Sequence, residues 1–386
     1  MESASAGQGG PLLPMPSIFE FRRRRLERTH QFTAVMLVPT GVDCAIGGHA
    51  GDATPAARVL ASVCDQLIVH PNVVNASDIN EQTDNSLYVE GSLICRLLTG
   101  SIALRKVRSN RLLVVTEARD DGPWAVDQVV NSASAARATL GVSCAEVAVL
   151  SNGLSMRMGL SPAGRAVGEI EDLEALFAVL EEARGRYDAV ALSTRITPAG
   201  NIADLFDAYF GGTGPNPWGG VEAALTHAVS AVFNVPSAHA PTLEDLSLRT
   251  HAFGQVDPRK AAESISTSYS YCVLKGLHRA PAVVPDPDGV YDPTLVAAED
   301  VSCVVAPATC LGLPTIAALL QGITVIGVRE NTTMLQSDLR VLPFEPGRLW
   351  MVDSYLEAAG LISALRAGVD PHAVRRPLCP TVVRHR

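Results

Sequence analysis

The sequence predicts an α/β protein with a mostly parallel, doubly wound sheet and a loop-rich inserted lobe. Three observations lead there. Short apolar runs of strand length alternate with amphipathic stretches of helical length. Hydrophobic residues make up 47% of the 386 and charged residues 18%, with a mean hydropathy of +0.18, which suits a large packed core. The runs near 301 and 324 carry no charge and are almost wholly apolar, as strands of a parallel sheet covered on both faces are.

In chain order, the apolar run 34–38 ends at Pro39 and reads as the first core strand. Thr54 caps a helix over 54–64 with Pro55 at its first position. A strand follows at 67–69, then a helix over 86–98 with Leu87, Leu93, Ile94, Leu97 and Leu98 on one side. Strands at 112–116, 146–150 and 189–192 alternate with helices at 126–140 and 172–184. From 197 to 293 the rhythm changes, because Gly, Pro, Asn and aromatic residues concentrate around 210–220. Helices are expected there at 221–233 and 258–277. Strands at 301–307 and 324–328 return to the sheet pattern, and a last helix covers 355–366. No charged residue occurs between Val301 and Val328, a length that could span a bilayer. Pro307, Gly312, Pro314, Gln321 and Gly322 cut that run into strand, helix and strand, so a buried β-α-β unit is expected instead. The expected organisation is a lead-in over 1–33, an α/β domain over 34–196, an insertion or second lobe over 197–293 and a returning segment over 294–386.

A net charge of −9 offers no basic excess to release phosphate counterions, so nucleic-acid binding is disfavoured. The run Arg22 to Arg25 lies between Glu20 and Glu27 and reads as a solvated face or an oligomer contact. Eight cysteines without a C-x-x-C pair suggest reduced core residues, and the first twenty residues do not read as a secretory leader. A cytoplasmic protein is expected, as an isologous homodimer that contacts neither membrane nor nucleic acid. No H-E-x-x-H, paired Cys/His set, EF-hand loop, Walker A, ordered G-x-G-x-x-G or G-x-S-x-G is present, so neither a metal nor a cofactor is expected.

Ligands of open α/β sheets bind beyond the carboxyl ends of the strands, so chemistry is sought in the loops that follow them. The loop 39–52 is rich in glycine and carries Asp43, Cys44, Gly47, Gly48, His49 and Asp52. Its backbone can approach a ligand, and a thiol there can ionise beside an imidazole or a helix start. The next loop holds His70, Asn72, Asn75, Ser77 and Asp78, which suit either turns and caps or hydrogen bonds to a small polar substrate. A third place follows the strand at 301–307: Thr309 and Cys310 precede a helix start, and Glu330 and Asn331 end the next strand. A fourth is Gly219-Gly220, where a helix start can hold a carboxylate or phosphate beside Trp218, with Glu222 in the first turn. The lone His227 on that helix reads as structural.

The segments VPTGVDCAIGGHAGDATPAARVLASVCD, HPNVVNASDINE, YVEGSLICRLL and APATCLGLPTIAALLQGITVIGVREN resemble an uncharacterised bacterial family, a domain of unknown function. The resemblance runs from about 34 to 355 and implies no reaction. Cysteines after strands in two parts of the chain are more distantly similar to the aspartate/glutamate racemase superfamily. That likeness implies facing thiols, here Cys44 and Cys310. Residues 310–333 are similar to the diphosphate-binding segment of two-lobed glycosyltransferases and nucleotide-sugar 2-epimerases, although Thr324 stands at the usual proline position and the expected helix acid is absent.

The expected function is a soluble enzyme that uses a cysteine with nearby His or Asp on a small polar or anionic metabolite, as an isomerase, hydrolase or lyase. Cys44 is the expected nucleophile or base, with His49 or Asp52 assisting and Cys310 as a second thiol. Two alternatives stand beside it: a nucleotide-sugar-binding epimerase or transferase, and a non-enzymatic protein that holds a small ligand.

Overall fold

The computed structural model describes residues 20–49, 51–74, 82–120, 122–198, 200–212, 214–242, 254–266, 269–287 and 292–385. The chain forms β1 (Thr33–Met36), α1 (Thr54–Ala61), β2 (Gln66–Val69), β3 (Ser86–Tyr88), α2 (Gly91–Leu98) and β4 (Ile102–Arg105). It continues as β5 (Arg111–Glu117), α3 (Trp124–Leu140), β6 (Ser143–Leu150), β7 (Ser155–Leu160), β8 (Ala166–Glu171), α4 (Leu173–Glu182) and β9 (Ala189–Ser193). Next come β10 (Thr197–Pro198), α5 (Ile202–Phe210), α6 (Gly219–Phe233), β11 (Ser237–His239), α7 (Ala261–Ile265), α8 (Tyr269–His278) and β12 (Ala282–Pro285). The last elements are β13 (Leu295–Val296), β14 (Val301–Pro307), α9 (Leu313–Gln321), β15 (Thr324–Val328), β16 (Leu349–Val352) and α10 (Tyr355–Arg366).

The α/β class is as expected, but most of the parallel strands fall in two sheets. The first has the order β3-β2-β1-β14-β15-β16, all parallel, so its winding reverses between β1 and β14. The second has the order β6-β5-β9-β11, also parallel, and reverses between β5 and β9. A division at 34–196, 197–293 and 294–386 therefore does not follow the sheets. The chain leaves the first sheet after β3, builds the second from β5 to β11, and returns at β14. Apolar runs alone do not reveal this, because runs of similar length read alike whichever sheet they join.

Alternation along each strand explains the covering helices. In the first sheet, Ala34, Met36, Leu67 and Val305 face α1 and α10, while Val35, Ile68, Val304 and Val325 face α2 and α9. In the second, Leu112, Val114 and Ala191 face α3 and α8, while Leu113, Val115 and Leu192 face α4 and α6. Both sheets are thus doubly wound.

Three local expectations are corrected. Residues 86–98 are not one helix: Ser86–Tyr88 pairs as a strand with β2, and α2 begins only after Glu90, whose side chain caps it. Residues 258–277 are broken, since the Ser266 backbone is extended and ends α7 before α8 starts. The arginine run is not merely a solvated face. Arg24 is buried and donates to the carbonyls of Gln321 and Gly322 at the carboxyl end of α9 and to Val301 O, at 2.8, 3.0 and 2.8 Å. It satisfies carbonyls that a helix end leaves without partners.

Candidate functional site

The loop after β1 is fastened to the loop after β15. Met334 N–H donates to Asp43 O and Ala45 N–H to Thr332 O, at 3.0 and 2.8 Å. Asn331 is buried; it accepts from Ile46 N–H at 2.9 Å and donates to Ile46 O and to the Tyr355 hydroxyl, both at 2.8 Å. The Asp52 carboxylate accepts from Gly47 N–H at 2.7 Å and from His49 N–H at 3.3 Å, and Gly48 N–H donates to Asn72 O at 2.8 Å. Gly47 has φ of +93°, and a β-carbon there would lie 2.8 Å from the Val38 methyls, so only glycine fits. Arg259 donates to Cys44 O at 2.9 Å and faces Asp43 at 3.8 Å. The glycine-rich loop is therefore a built scaffold, with Asp43, Gly47, Gly48, Asp52 and Asn331 occupied in holding it.

The expected thiolate chemistry meets a physical obstacle. Cys44 and Cys310 are near one another, but they are only 1% and 6% exposed. Burial, reinforced by Cys310 and Asp43, pushes the Cys44 thiol far above its ordinary value, and burial pushes Cys310 up to about 12. Both remain protonated at neutral pH. His49, expected to assist, is 1% exposed, and burial followed by the charges of Lys260 and Arg259 pushes it down to about 3. Its Nδ1 meets the Tyr209 hydroxyl at 3.2 Å rather than a thiol.

Other expected ligand residues are structural as well. The Thr309 hydroxyl pairs with the Thr333 hydroxyl at 2.7 Å, and Glu330 accepts from Tyr355 N–H at 2.7 Å at the start of α10. A β-carbon on Gly220 would lie 2.6 Å from Ala166 O, so Gly220 lets α6 pack on the start of β8. Asn75, Ser77 and Asp78 lie outside the described residues.

Five expected residues do gather, in a cleft between the two sheets. His70, Asn72, Trp218, Gly219 and Glu222 line it together with side chains from the strand ends of both lobes. Asn72 donates to the Thr40 hydroxyl at 2.8 Å. His70 is buried, and its Nε2 accepts from Val38 N–H at 3.0 Å, so the neutral ring carries its proton on Nδ1.

The most ionisable part of the cleft was not foreseen. Glu90 ends the β3 loop; one carboxylate oxygen accepts from Ser92 N–H at 2.9 Å, Leu93 N–H at 3.2 Å and the Ser92 hydroxyl, while the other meets His227 Nδ1. Burial disfavours charge on Glu90, but His227 and the Ser92 donors outweigh it and hold the carboxyl below its ordinary range. Burial likewise disfavours charge on His227, and the Glu90 carboxylate more than compensates, so the imidazole lies above its ordinary value. The His227 side chain is 47% exposed and lines the cleft.

A second pair, Glu222 and His239, meets at 3.0 Å, and His239 Nε2 reaches the Thr194 hydroxyl at 2.9 Å. The third acid is Glu263, which accepts from the Tyr209 hydroxyl at 2.8 Å. Burial, aided by the nearby Glu222 charge, lifts its carboxyl to about 7 against that hydrogen bond. While Glu263 is ionised and accepts from Tyr209, the Tyr209 hydroxyl in turn accepts from His49 Nδ1. Among the described residues, no group of three or more His, Cys, Asp or Glu is placed to hold a metal ion.

Residues 33–375 match the family described as "Protein of unknown function (DUF3326)". A protein of Synechococcus sp. named "Uncharacterized lipoprotein" is 35% identical over 347 residues, covering 89% of this chain and 93% of that protein. No solved structure matches the chain.

Proposed function

We propose, for a chain that belongs to the family described as "Protein of unknown function (DUF3326)", that the inter-lobe cleft is an acid–base site acting on a small polar or anionic metabolite. The observation that carries this reading is the Glu90–His227 pair. A buried carboxylate holds the ring through Nδ1 and raises its basicity, and the ring, part exposed, lines the cleft where a general base would act. Glu263, with a carboxyl near 7, lines the same cleft and can give a proton at the pH where His227 takes one. Isomerisation and elimination both need that combination, one proton leaving substrate and another arriving.

Cys44 and Cys310 have no part in the proposed reaction, because a thiol kept protonated at neutral pH is a poor nucleophile. The racemase-like role for facing thiols falls with them. A nucleotide-sugar reaction has less support than the acid–base site, since no titratable group that follows Cys310 in that segment lines the cleft.

The test is turnover. The full chain and its His227→Gln variant are incubated with a small-molecule extract of the host, and metabolites are followed by mass spectrometry. A metabolite consumed by the wild type and spared by the variant is the expected result. Equal consumption by both, or none by either, removes the reading.

Among the described residues, no helix is long and apolar enough to cross a membrane. The cysteines are free, which favours the cytoplasm, whereas the name of the Synechococcus relative points to a lipid anchor. We propose the cytoplasmic location; recovery of the protein in a salt-washed membrane pellet would overturn it.

A further inference from the structure

The cleft has two unlike halves. The half lined by Glu222, Glu263 and His239 is acidic. The other half opens where the first sheet reverses its winding, between β1 and β14, and no carboxylate lines it. His70 and His227 line both halves.

Three donors line this second half. Arg165, at the turn between β7 and β8, reaches in from the other lobe and is exposed, without an ion pair among the described residues. Its hairpin is pinned in place, since Ala166 N–H donates to Gly41 O at 2.8 Å. Thr40 accepts from Asn72, which leaves its own hydroxyl proton to be given away. The most telling donor is His70. It is only 6% exposed, its Nε2 is taken by Val38 N–H, and its Nδ1 proton has no acceptor among the described residues although the ring lines the hollow. That nitrogen is not among the polar atoms sealed from solvent without a partner, so its proton is open to the hollow and can be given to a ligand there.

We infer that this hollow binds the oxyanion of the substrate, a phosphate or carboxylate, between Arg165, His70 and Thr40. The inference rests on the acid–base reading of the adjoining half, and it narrows the substrate class to small metabolites that carry such a group beside the proton taken by His227. Ligands of doubly wound sheets sit at the same kind of strand-order reversal.

The test titrates the full chain with inorganic phosphate, and separately with acetate, at constant ionic strength and follows the thermal midpoint. A saturable rise with either anion is expected. Arg165→Glu should weaken the apparent affinity at least tenfold and Arg165→Gln to a lesser degree, while Arg157→Glu, the same charge change on the same hairpin, should leave it unchanged. Binding by neither anion, or equal weakening by Arg157→Glu, overturns the inference. The imidazole titration of His227, read by nitrogen NMR, reports on the neighbouring pair independently. A raised His227 value without anion binding sinks only the oxyanion site; anion binding with an ordinary His227 value sinks only the acid–base reading.

Discussion

Glu263 shows how one side chain couples the cleft to folding. Its carboxyl lies near 7 in the folded protein against an ordinary value of 4.5, so the folded state binds the extra proton between those values. The contribution of Glu263 is therefore fully present below about pH 4.5 and is lost as pH rises through about 7. Glu263→Gln should remove that loss. Allowing for partial exposure, the variant should gain on the order of 1–2 kcal/mol over the wild type at pH 8 but little at pH 5, as urea denaturation at the two pH values would show. The thiols make a second prediction at this scale. Seven of the eight cysteines are buried or partly so, and Cys379 is exposed. Native protein at pH 8 should show one fast-reacting thiol per chain with an aromatic disulfide reagent, and Cys379→Ser should abolish it. Fast labelling of Cys44 or Cys310 would restore thiol catalysis as a live reading.

Helix α6 is the element that joins scaffold to chemistry. It carries Glu222 and His227, and its first turn packs so tightly on β8 that a β-carbon on Gly168 would lie 2.3 Å from Val221. Replacing Gly220 with Ala forces a similar overlap with Ala166 O and should cost about 1–3 kcal/mol in chemical denaturation. An unchanged midpoint would mean that α6 shifts freely, against the fixed cleft described above. Several elements were legible in the sequence because their signals are local: β14, β15 and α10 fall where apolar runs, Pro and Gly place them. The segment 86–98 was not. Leu87 fits a helical stripe as well as a strand, and that reading puts Glu90 inside a helix, where a carboxylate is merely a surface group. As the residue that caps α2, it is a buried anion aimed at a partner.

One place where the two lobes meet is the packing of α2 on α6, and Glu90 to His227 and Arg96 to Asn234, the latter at 2.8 Å, are polar links there. Glu90→Gln keeps the shape of the first link and removes its charge. The His227 imidazole should then fall below its ordinary value, since burial would act unopposed, and amide exchange should quicken in α2 and α6 while β1 and β14 stay protected. Unchanged titration of His227 would show that Glu90 does not set its basicity. Periodicity and turn residues act over a few positions, and so the chain alone was enough to declare the α/β class, the parallel strands and the importance of the loops after them, with His70, Asn72 and Gly219 among the residues named. Which loop residues face a ligand is a different kind of question. Glu90 and His227 stand 137 positions apart, and the burial that raises Glu263 and silences Cys44 comes from neighbours distant in sequence. Ionisation depends on solvent exclusion and on charges a few ångströms away, and only the packing of two separately wound sheets brings those together.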